Sequence, residues 1–398
     1  MFRTEYLKGK SITNDAEVLK IFAAVKKYGG VVRFVGGAVR DTLAGLPANG
    51  LNLCTDLSPD ELAEACEEAG LKTMPIGLKI GSLGVAAGSN VIEVSSLKIR
   101  NPKDELEFTD NWEADAAGRD LTINAVYADE EGNVFDYYNG IKDLEQGIVR
   151  FIGDTDKNIA ADSERILRFF RFYSLFGRGE IDAKALKACR EHSNELKKVP
   201  VETIWRELKN ILVTPNAAKV LQIMFANNVL SNLLSDDADL AALTRLIDCE
   251  RRAGVAPDAL RRLFAMYHPD KALAENFAIR WHFSKKEKEK IIACCEMPNR
   301  AEDFTGAALL PQVYRHGNEL CLDKYLICCS RGESPDIADK VRDIINTKVP
   351  VLPIDGKDII ALGIADNNKI GYWIERLEAA WVASNFTLNR DQLLALVA

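Results

Sequence analysis

Two glycines between an apolar run and a short helix mark the first place where this chain could bind a phosphorylated ligand. The run Val31–Val35 predicts a strand, and Gly36 and Gly37 follow it directly. Glycines at such a junction let backbone amides approach an anion, which the N-terminus of a helix also favours. Arg40 and Asp41, one turn into the helix, are therefore candidate ligand-binding residues. A glycine pair is more often an ordinary turn, and this one matches neither the P-loop nor the dinucleotide fingerprint.

The next predicted strand, Leu51–Thr55, is where the carboxylates of a metal centre would be expected. Two-metal phosphoryl transfer clamps ions about 3.5–4 Å apart, and an Asp-x-Asp pair on one strand face supplies suitable ligands. Alternation predicts that Gly50, Asn52, Cys54 and Asp56 share one face. Glycine supplies no ligand, and asparagine offers one neutral oxygen without the charge that Mg²⁺ prefers. The alternative is that the Asn-Gly pair before the strand is simply a turn.

The segment AGRDLTINAVYAD, residues 117–129, places Arg119 and Asp120 at the start of a predicted helix, Leu121–Ala128. Aspartate is a common helix cap, and the two charged side chains together could contact a ribose and a phosphate. The alternative is a local ion pair at the start of a helix. The sequence alone gives the two interpretations equal weight.

A stripe of charged residues lies on the predicted helix 161–177. Its members, Asp162, Arg165, Arg168 and Arg171, recur every three residues on the side opposite an apolar face. A carboxylate beside a guanidinium can imitate a Watson–Crick edge, and further arginines can bind phosphates. A solvated, salt-bridged helix face is the alternative. Three arginines without a lysine favour phosphate or base contact.

The composition restricts the class of protein. The chain has 398 residues, 47% of them hydrophobic and 28% charged, which is typical of globular proteins with more than one domain. No apolar run reaches the roughly 18–20 residues of a membrane span, and no targeting signal is recognisable, so we expect a cytoplasmic protein without membrane association. Nine cysteines without a CxxC pair favour buried, reduced thiols over zinc sites or disulfides. A net charge of −8 argues against diffuse nucleic-acid binding but allows a localised basic groove.

Strand signals are confined to about the first 150 residues, and helical patterns fill the rest, so we predict an α+β fold: a mixed-sheet head followed by an all-helical remainder. The predicted strands are Val31–Val35, Leu51–Thr55, Ile80–Ala86, Val91–Ser96, Val134–Tyr137 and Val149–Ile152. The predicted helices of the head are Asp15–Tyr28, Ala38–Ala44, Pro59–Glu68 and Leu121–Ala128. Ser58 and Glu61 are spaced as a capping box for the third helix.

Taken in order, four segments resemble the bacterial-type class II of the tRNA nucleotidyltransferase/poly(A) polymerase family. They are RFVGGAVRDTLAG, RDLTINAVYADEEGNVFDYYNGIKDL, DSERILRFFRFYSLFGRGE and LPIDGKDIIALGI. The resemblance implies a nucleotidyltransferase-like head at 1–153, a nucleotide-reading helical neck at 154–213, a helical body at 214–345 and a helical tail at 346–398. It also implies ATP and CTP as ligands, Mg²⁺ as the cofactor of the family, and the acceptor end of tRNA as the RNA partner.

Carried over position by position, the resemblance implies a nucleotide-binding set in the head and neck. Gly37 and Arg40 would contact the triphosphate, and Arg119 and the neck stripe would contact the nucleotide. The complete candidate set is Gly36, Gly37, Arg40, Asp41, Arg119, Asp120, Asp162, Arg165, Arg168 and Arg171.

Five elements depart from the family pattern. The most important is the Asp-x-Asp pair, which is replaced by Gly50 and Asn52, so that no catalytic residue is intact and no metal ligand is expected. The other departures are Ala161 for a glutamate, Gly118 for an arginine, Ile80-Gly81 for His-Gly, and a short loop, LKIRNPKDELEF, without the usual Asp-Gly-Arg core.

Another carboxylate would have to replace the missing pair for nucleotide transfer to occur. Asp56 is expected on the same strand face as Asn52, but four residues place it roughly 13 Å away. Glu93, in VIEVSS, lies on a predicted strand where the family tends to have a carboxylate.

The sequence therefore supports three hypotheses. The favoured one is a family member that binds tRNA-like RNA 3′ ends and NTP but is catalytically inactive or severely impaired. The second is an active, template-independent RNA nucleotidyltransferase that adds CMP and AMP to RNA 3′ ends through a residual or relocated metal site. The third is a regulatory or structural partner of an active paralogue.

Overall fold

The computed structural model describes residue 7 and residues 11–48, 50–77, 81–101, 105–332 and 336–397. The chain divides into two compact units. The first contains Met1–Ile211 and Ile223–Leu233, and the second contains Leu212–Gln222 and Leu234–Ala398. Within the described ranges, strands occur only in the first unit, which confirms the α+β class with a sheet-containing head and a helical remainder.

The strands of the first unit are β1 Val32–Val35, β2 Asn52–Thr55, β3 Thr73–Gly77, β4 Ser82–Ala87, β5 Asn90–Ser96, β6 Lys98–Arg100, β7 Leu106–Phe108, β8 Val126–Ala128 and β9 Val134–Asp136. The main sheet is mixed, with strand order β3-β4-β5-β2-β1-β8-β9. Among the described strands, only β2 and β5 pair in parallel, and β6 and β7 form a separate hairpin.

The helices up to residue 212 are short and surround this sheet or follow it. They are α1 Ala16–Tyr28, α2 Gly37–Leu43, α3 Pro59–Glu68, α4 Trp112–Ala117, α5 Gly140–Gln146, α6 Thr155–Ala161, α7 Glu164–Phe176, α8 Ala183–Glu191 and α9 Val201–Leu212. Later in the chain are α10 Ala217–Ala226, α11 Leu240–Ala253, α12 Ala259–Tyr267, α13 Lys271–Arg280, α14 Lys285–Glu296, α15 Leu309–Cys329, α16 Ile337–Asn346, α17 Gly356–Ala361, α18 Asn367–Ala383 and α19 Arg390–Leu394.

Helix α7 is held by the apolar face that the sequence predicts. That face packs into the first unit, where the ring of Phe169 stacks on Phe151 with centroids 5.4 Å apart. Gly177 ends the helix as predicted. The predicted capping box at α3 is also present, with Ser58 and Glu61 each bonding the other's backbone N–H. The buried members of the α7 face are Ile166, Phe169, Phe170, Tyr173 and Phe176.

Two predicted elements of the head are wrong. The expected helix Leu121–Ala128 is a 3₁₀ turn, Thr122–Asn124, followed by strand β8. Pairing of β8 with both β1 and β9 buries its apolar side chains more completely than a surface helix would. The expected strand Val149–Ile152 contributes only an isolated bridge between Leu121 and Phe151.

Strand β3 was not predicted from the sequence. It lies at the edge of the sheet and contains Pro75, a residue that interrupts strand patterns but is tolerated at an edge. The predicted strand Ile80–Ala86 corresponds to β4, although Ile80 itself lies outside the described residues.

The second unit contains a group of buried charges around Glu250. The guanidinium of Arg262 lies 2.6 Å from Glu250 Oε2 and donates to the carbonyls of Leu212 and Thr214 at 2.5 and 2.7 Å. Arg261 lies 3.1 Å from Glu250 Oε1. Buried charges are tolerated when they are paired in this way.

The cysteines agree with the expectation of reduced thiols: all nine are free, and eight are buried. Burial raises the pKa of Cys294 to about 12, so its thiol stays protonated and unreactive at neutral pH. None of the described helices has the length and hydropathy of a membrane span.

We expect Gly140→Ala to destabilise the first unit by about 1–3 kcal/mol, because the new methyl group would overpack a tight backbone contact. A Cβ at this position would lie 2.1 Å from the carbonyl oxygen of Thr122, a backbone atom that cannot simply rotate away. The measurement is urea unfolding of purified protein. Gly179→Ala is the matched control, since a Cβ there meets no atom within 4 Å. Equal stabilities of the two variants would contradict the prediction.

We expect part of the stability of the second unit to be lost as the pH falls from about 6.5 toward 4. His268 Nδ1 accepts a hydrogen bond from Arg331 Nε at 3.0 Å, and burial together with this positive neighbour lowers the pKa of His268 to about 4. An unfolded histidine titrates near 6.5, so the contribution is complete above that pH and disappears as the folded imidazole is forced to ionise.

The test is the dependence of the thermal midpoint on pH for wild type and His268→Gln. Glutamine cannot ionise, so the variant should lose less stability between pH 6.5 and 4. Parallel curves would show that His268 does not contribute.

Candidate nucleotide-binding site

The buried carboxylate of Asp120 connects the loop after α4 to helix α7. Its Oδ1 accepts hydrogen bonds from the backbone N–H of Leu121 at 2.7 Å and from Asn124 Nδ2 at 3.0 Å. Arg168 Nη2 lies 2.9 Å from Oδ2. Burial alone would raise the pKa of Asp120, but Arg168 and the two hydrogen bonds outweigh it and the pKa is lowered. Asp120 is thus ionised, and it does not cap a helix as the sequence suggested.

Arg40 extends this network to helix α2. Its Nη1 donates to Asn124 Oδ1 at 2.6 Å, while Nε and Nη2 donate to Asp41 Oδ1 at 2.9 and 2.6 Å. The guanidinium also lies over the rings of Phe172 and Phe176. With 7% of Arg40 exposed, burial lowers its pKa despite the adjacent Asp41. A phosphate would therefore compete with Asp41 and Asn124 for these donors.

The glycine pair ahead of Arg40 is conformationally required at its first member. Gly36 has φ +67°, a backbone conformation that favours glycine, and its N–H donates to the carbonyl of Val126 at 3.3 Å. Gly37 is the first residue of α2. The junction between β1 and α2 is therefore a true glycine turn that is itself held to β8.

Arg119 contacts side chains of α4, β2 and β8 rather than Asp120. It donates through Nε to the hydroxyl of Tyr127 at 2.9 Å and through Nη2 to Asp115 Oδ2 and Cys54 Sγ, each at 3.0 Å. The Tyr127 hydroxyl in turn donates to Asp115 Oδ2 at 2.7 Å. Burial raises the pKa of Cys54 to about 11, so the sulfur is a neutral thiol. One quarter of the Arg119 side chain stays exposed.

The predicted four-residue stripe is interrupted at its first member. Asp162 is not on helix α7 but closes α6 in an extended conformation, with φ −158°, and its Oδ1 accepts from the N–H of Glu164. Arg165 reaches back to Asn158 Oδ1 and donates through Nη2 to the carbonyl of Gly118 at 3.1 Å. Asp162 Oδ2 lies 3.9 Å from Arg165 Nε, so the two residues remain neighbours.

The remaining arginines of the stripe contact different carboxylates. Arg171 Nε donates to Glu207 Oε2 of α9 at 2.7 Å, whereas Arg168 pairs with Asp120. Arg165, Arg168 and Arg171 thus lie along one side of α7 within the first unit. Of the three, Arg168 is joined through Asp120 and Asn124 to Arg40 and Asp41 by a continuous series of contacts.

The first of the two metal-ligand positions is not on a strand. Gly50 lies in a bend with φ +78°, and β2 begins only at Asn52, which corrects the prediction that Gly50 and Asn52 occupy one strand face. Asp56 Oδ1 accepts a hydrogen bond from the N–H of Val31 at 2.7 Å and is therefore already used to fix the start of β1. The alternative turn at Asn49-Gly50 includes a residue outside the described ranges.

Glu93 is the carboxylate that lies in register with Asn52, the second of the two positions. It is the cross-strand partner of Asn52 in the parallel pair of β2 and β5, and Gly84 is its partner on the other side. A divalent cation such as Mg²⁺ prefers several charged oxygen ligands, and one carboxylate beside one amide is a poor set. Among the described residues, no group of three or more His, Cys, Asp or Glu side chains could hold a metal ion.

The short loop 97–108 forms the β6–β7 hairpin, although residues 102–104 at its tip lie outside the described ranges. The hairpin lies against the main sheet through Phe108. A Cβ on Gly81 would be 2.6 Å from the Phe108 ring, so this approach requires the glycine at the family's His-Gly position. Ile80 of the same motif is outside the described residues.

Four residues of the network were not identified from the sequence: Asn124, Asn158, Asp115 and Glu207. A partial signal existed for two of them. Asp115 precedes Arg119 by four residues and Asn124 follows Asp120 by four, a spacing that brings side chains together on a helical turn. Nothing in the local sequence relates Glu207 to Arg171, because they meet only after two helices pack.

Comparison with known proteins agrees with this geometry. Residues 32–150 match the family model of the poly(A) polymerase head domain, and residues 180–239 match the probable RNA- and SrmB-binding site of polymerase A. The mouse mitochondrial CCA tRNA nucleotidyltransferase 1 is 28% identical over 92% of this chain and 86% of its own length. The CCA-adding enzyme of Ligilactobacillus salivarius is 25% identical over 95% of both chains.

Solved structures show the same fold. The CCA-adding enzyme of Bacillus stearothermophilus in complex with CTP superposes with a TM-score of 0.74 at 23% identity, over 96% of this chain and 95% of that one. The Thermotoga maritima CCA-adding enzyme complexed with tRNA gives 0.68 at 19% identity, over 100% and 98%. The chain therefore has the fold of these CCA-adding enzymes. With its matches to the two family models and to the relatives, it belongs to the tRNA nucleotidyltransferase/poly(A) polymerase family, in its bacterial-type class II form.

We expect Asp120 and Arg168 to stabilise the first unit as a coupled pair. Asp120→Asn and Arg168→Gln should each reduce the free energy of unfolding by about 1–2 kcal/mol, because each leaves a poorly solvated charge without its partner. The double variant should cost less than the sum of the two single variants. Urea unfolding of all three gives the coupling energy.

Arg206→Gln serves as the control for the loss of an arginine. Its side chain is 57% exposed and pairs with Glu164 at 2.9 Å, so an effect below about 1 kcal/mol is expected. Strict additivity of Asp120→Asn and Arg168→Gln would disprove the coupling.

Proposed function

We propose that this chain binds tRNA-like RNA 3′ ends and nucleotides but transfers nucleotides at a negligible rate. The observation that carries the proposal is the replacement of both family metal ligands, by Gly50 outside the strand and by Asn52 within it. The relatives named CCA-adding enzymes, and the solved complexes with CTP and with tRNA, support the choice of ligands. The nucleotide site would comprise the ten candidate residues of the head and neck.

The proposed division of labour follows the family. The head, 1–153, and the neck, 154–213, would hold the nucleotide, and the body, 214–345, and the tail, 346–398, would hold the RNA. The match to an RNA-binding model at residues 180–239 supports an RNA contact around the end of the neck and the start of the body.

Slow transfer through a reduced metal site is the second candidate. The register of Glu93 with Asn52 favours it, because one carboxylate remains beside the position of a lost one. Removal of a coupled catalytic set in other enzymes costs on the order of 10⁶ in rate. Any residual activity would be of that small size and must be separated from contamination.

The test is extension of a tRNA transcript that lacks its 3′ CCA, resolved to single nucleotides, with CTP and ATP and with Mg²⁺ and then Mn²⁺. We expect saturable binding of this transcript without extension. Glu93→Gln is the control for contamination, since it removes the remaining carboxylate. Extension by wild type that disappears in Glu93→Gln would replace the proposal with the second candidate. Absence of RNA binding would reject both.

The Gly50→Asp/Asn52→Asp double variant tests what else has been lost. If it adds CMP where wild type does not, the nucleotide and RNA sites are retained and only the metal ligands are missing. Aspartate at φ +78° costs roughly 1 kcal/mol or more, so Asn52→Asp alone should be assayed in parallel.

A further inference from the structure

We infer that this chain binds the triphosphate of its nucleotide without a divalent cation, and that the single change Asn52→Asp makes binding dependent on the cation. The inference rests on the proposed function and adds to it the ionic form of the ligand. It follows from the charges around Asn52 and Glu93.

The row of residues across the sheet at Asn52 supplies little that a cation could use. From β2 to the edge, the partners in register are Asn52, Glu93, Gly84 and Met74. Only Glu93 carries a charge, Gly84 has no side chain, and Met74 offers no oxygen. Mg²⁺ gives up its water ligands reluctantly and exchanges them mainly for carboxylates and phosphates. The protein therefore offers it one charged ligand at this place.

The nearby carboxylates are already engaged. Asp115 accepts from Arg119, from the Tyr127 hydroxyl and, through Oδ1, from the N–H of Lys98 at 3.1 Å. Asp120 is paired with Arg168. Moving either of them toward a cation would leave a partly buried arginine or a backbone donor unsatisfied, which costs more than moving an exposed, unpaired carboxylate would.

Positive charge is also close to Glu93. Lys98 begins β6, is partly buried, and lies within electrostatic reach of Glu93, Cys54, Asp115 and Arg119. Burial lowers the pKa of Lys98 because its ammonium group is poorly solvated, and an anion that approaches would stabilise the charged form. The single charge of Glu93 is thus offset before a ligand arrives, because the charges of Glu93, Asp115, Lys98 and Arg119 sum to zero.

The arginines of α7 have hydrogen-bond donors left for phosphate oxygens. A guanidinium carries five N–H groups. Among the described residues, Arg168 uses Nη2 toward Asp120 and Arg171 uses Nε toward Glu207. Arg165 Nε is buried and has no hydrogen-bond partner among the described residues. A nucleotide free of Mg²⁺ brings more negative charge to these donors than its Mg²⁺ complex does.

Asn52→Asp adds a second negative charge beside Glu93. The new carboxylate would stand beside Glu93 on a neighbouring strand about 4.8 Å away, and adjacent like charges repel. A divalent cation placed between them relieves the repulsion and can also bind phosphate oxygens. Gly50 need not change, since it lies before the strand and outside this pair.

The experiment measures the binding of CTP and ATP to the full chain by calorimetry, in EDTA and in excess Mg²⁺. For wild type we expect the dissociation constant in EDTA to be equal to or lower than that in Mg²⁺, within about threefold. For Asn52→Asp we expect EDTA to weaken binding by about tenfold or more relative to Mg²⁺. Asn52→Ser is the matched neutral control and should behave as wild type. Asn52→Asp/Glu93→Gln should lose the dependence on the cation.

Binding of Mn²⁺ to protein without nucleotide, followed by electron paramagnetic resonance, gives a second readout. We expect Asn52→Asp to bind Mn²⁺ more tightly than wild type. Nucleotide binding by wild type only in Mg²⁺ would overturn the inference and leave the proposed nucleotide site standing. No binding in either condition would reject both the inference and the nucleotide part of the proposed function. If Asn52→Asp showed the same cation dependence as wild type, positions 52 and 93 would not form the cation site that we infer.

Discussion

A carboxylate that is removed from water must be paired or hydrogen-bonded, and Asp120 is one of the buried carboxylates of the first unit to which this requirement applies. Its oxygens are met by Arg168 of α7, by Asn124 and by the backbone of Leu121. Asn124 in turn orients Arg40, whose guanidinium packs on the aromatic side of α7. In addition to its apolar face, helix α7 is thus held by one buried negative charge and the donors that neutralise it.

This arrangement gives the arginines of the family pattern a structural role within the protein. Most of them have a carboxylate partner inside the protein, and these pairs satisfy the charges without any ligand. Structural demand alone would therefore be sufficient to retain them, whether or not the chain transfers nucleotides. Retention of the motifs and competence for transfer are separate properties. The pairs are Arg40–Asp41, Arg119–Asp115, Arg168–Asp120 and Arg171–Glu207.

The features that were predicted correctly are those that depend on residues close together in the sequence. The capping box before α3, the apolar face of α7 and the stop at Gly177 were all readable, because each depends on residues within one helix. The segment Leu121–Ala128 was misread because its helical periodicity lost to the pairing of β8 with two strands far away in the sequence. Edge strand β3 was missed for a related reason, since only its place in the sheet makes Pro75 acceptable.

In the candidate site, too, only local features were predictable. The types of its residues were predictable, but their partners were not: Arg119 bonds Cys54, and Arg165 bonds the carbonyl of Gly118. Both contacts join segments separated by dozens of residues. Asp162 was predicted on the helix that became α7, but it ends α6. The break between the two helices contains no glycine or proline that would indicate it in the sequence.

The two positions at which the family resemblance implies metal ligands differ in how well their backbone would accept an aspartate. At Asn52 the backbone is that of an ordinary strand, so an aspartate would fit without a cost in conformation. At Gly50 the left-handed backbone accepts a side chain only with strain, so an aspartate there would also have to reshape the turn. A single exchange is therefore sufficient at position 52, whereas an exchange at position 50 requires a second change in the turn.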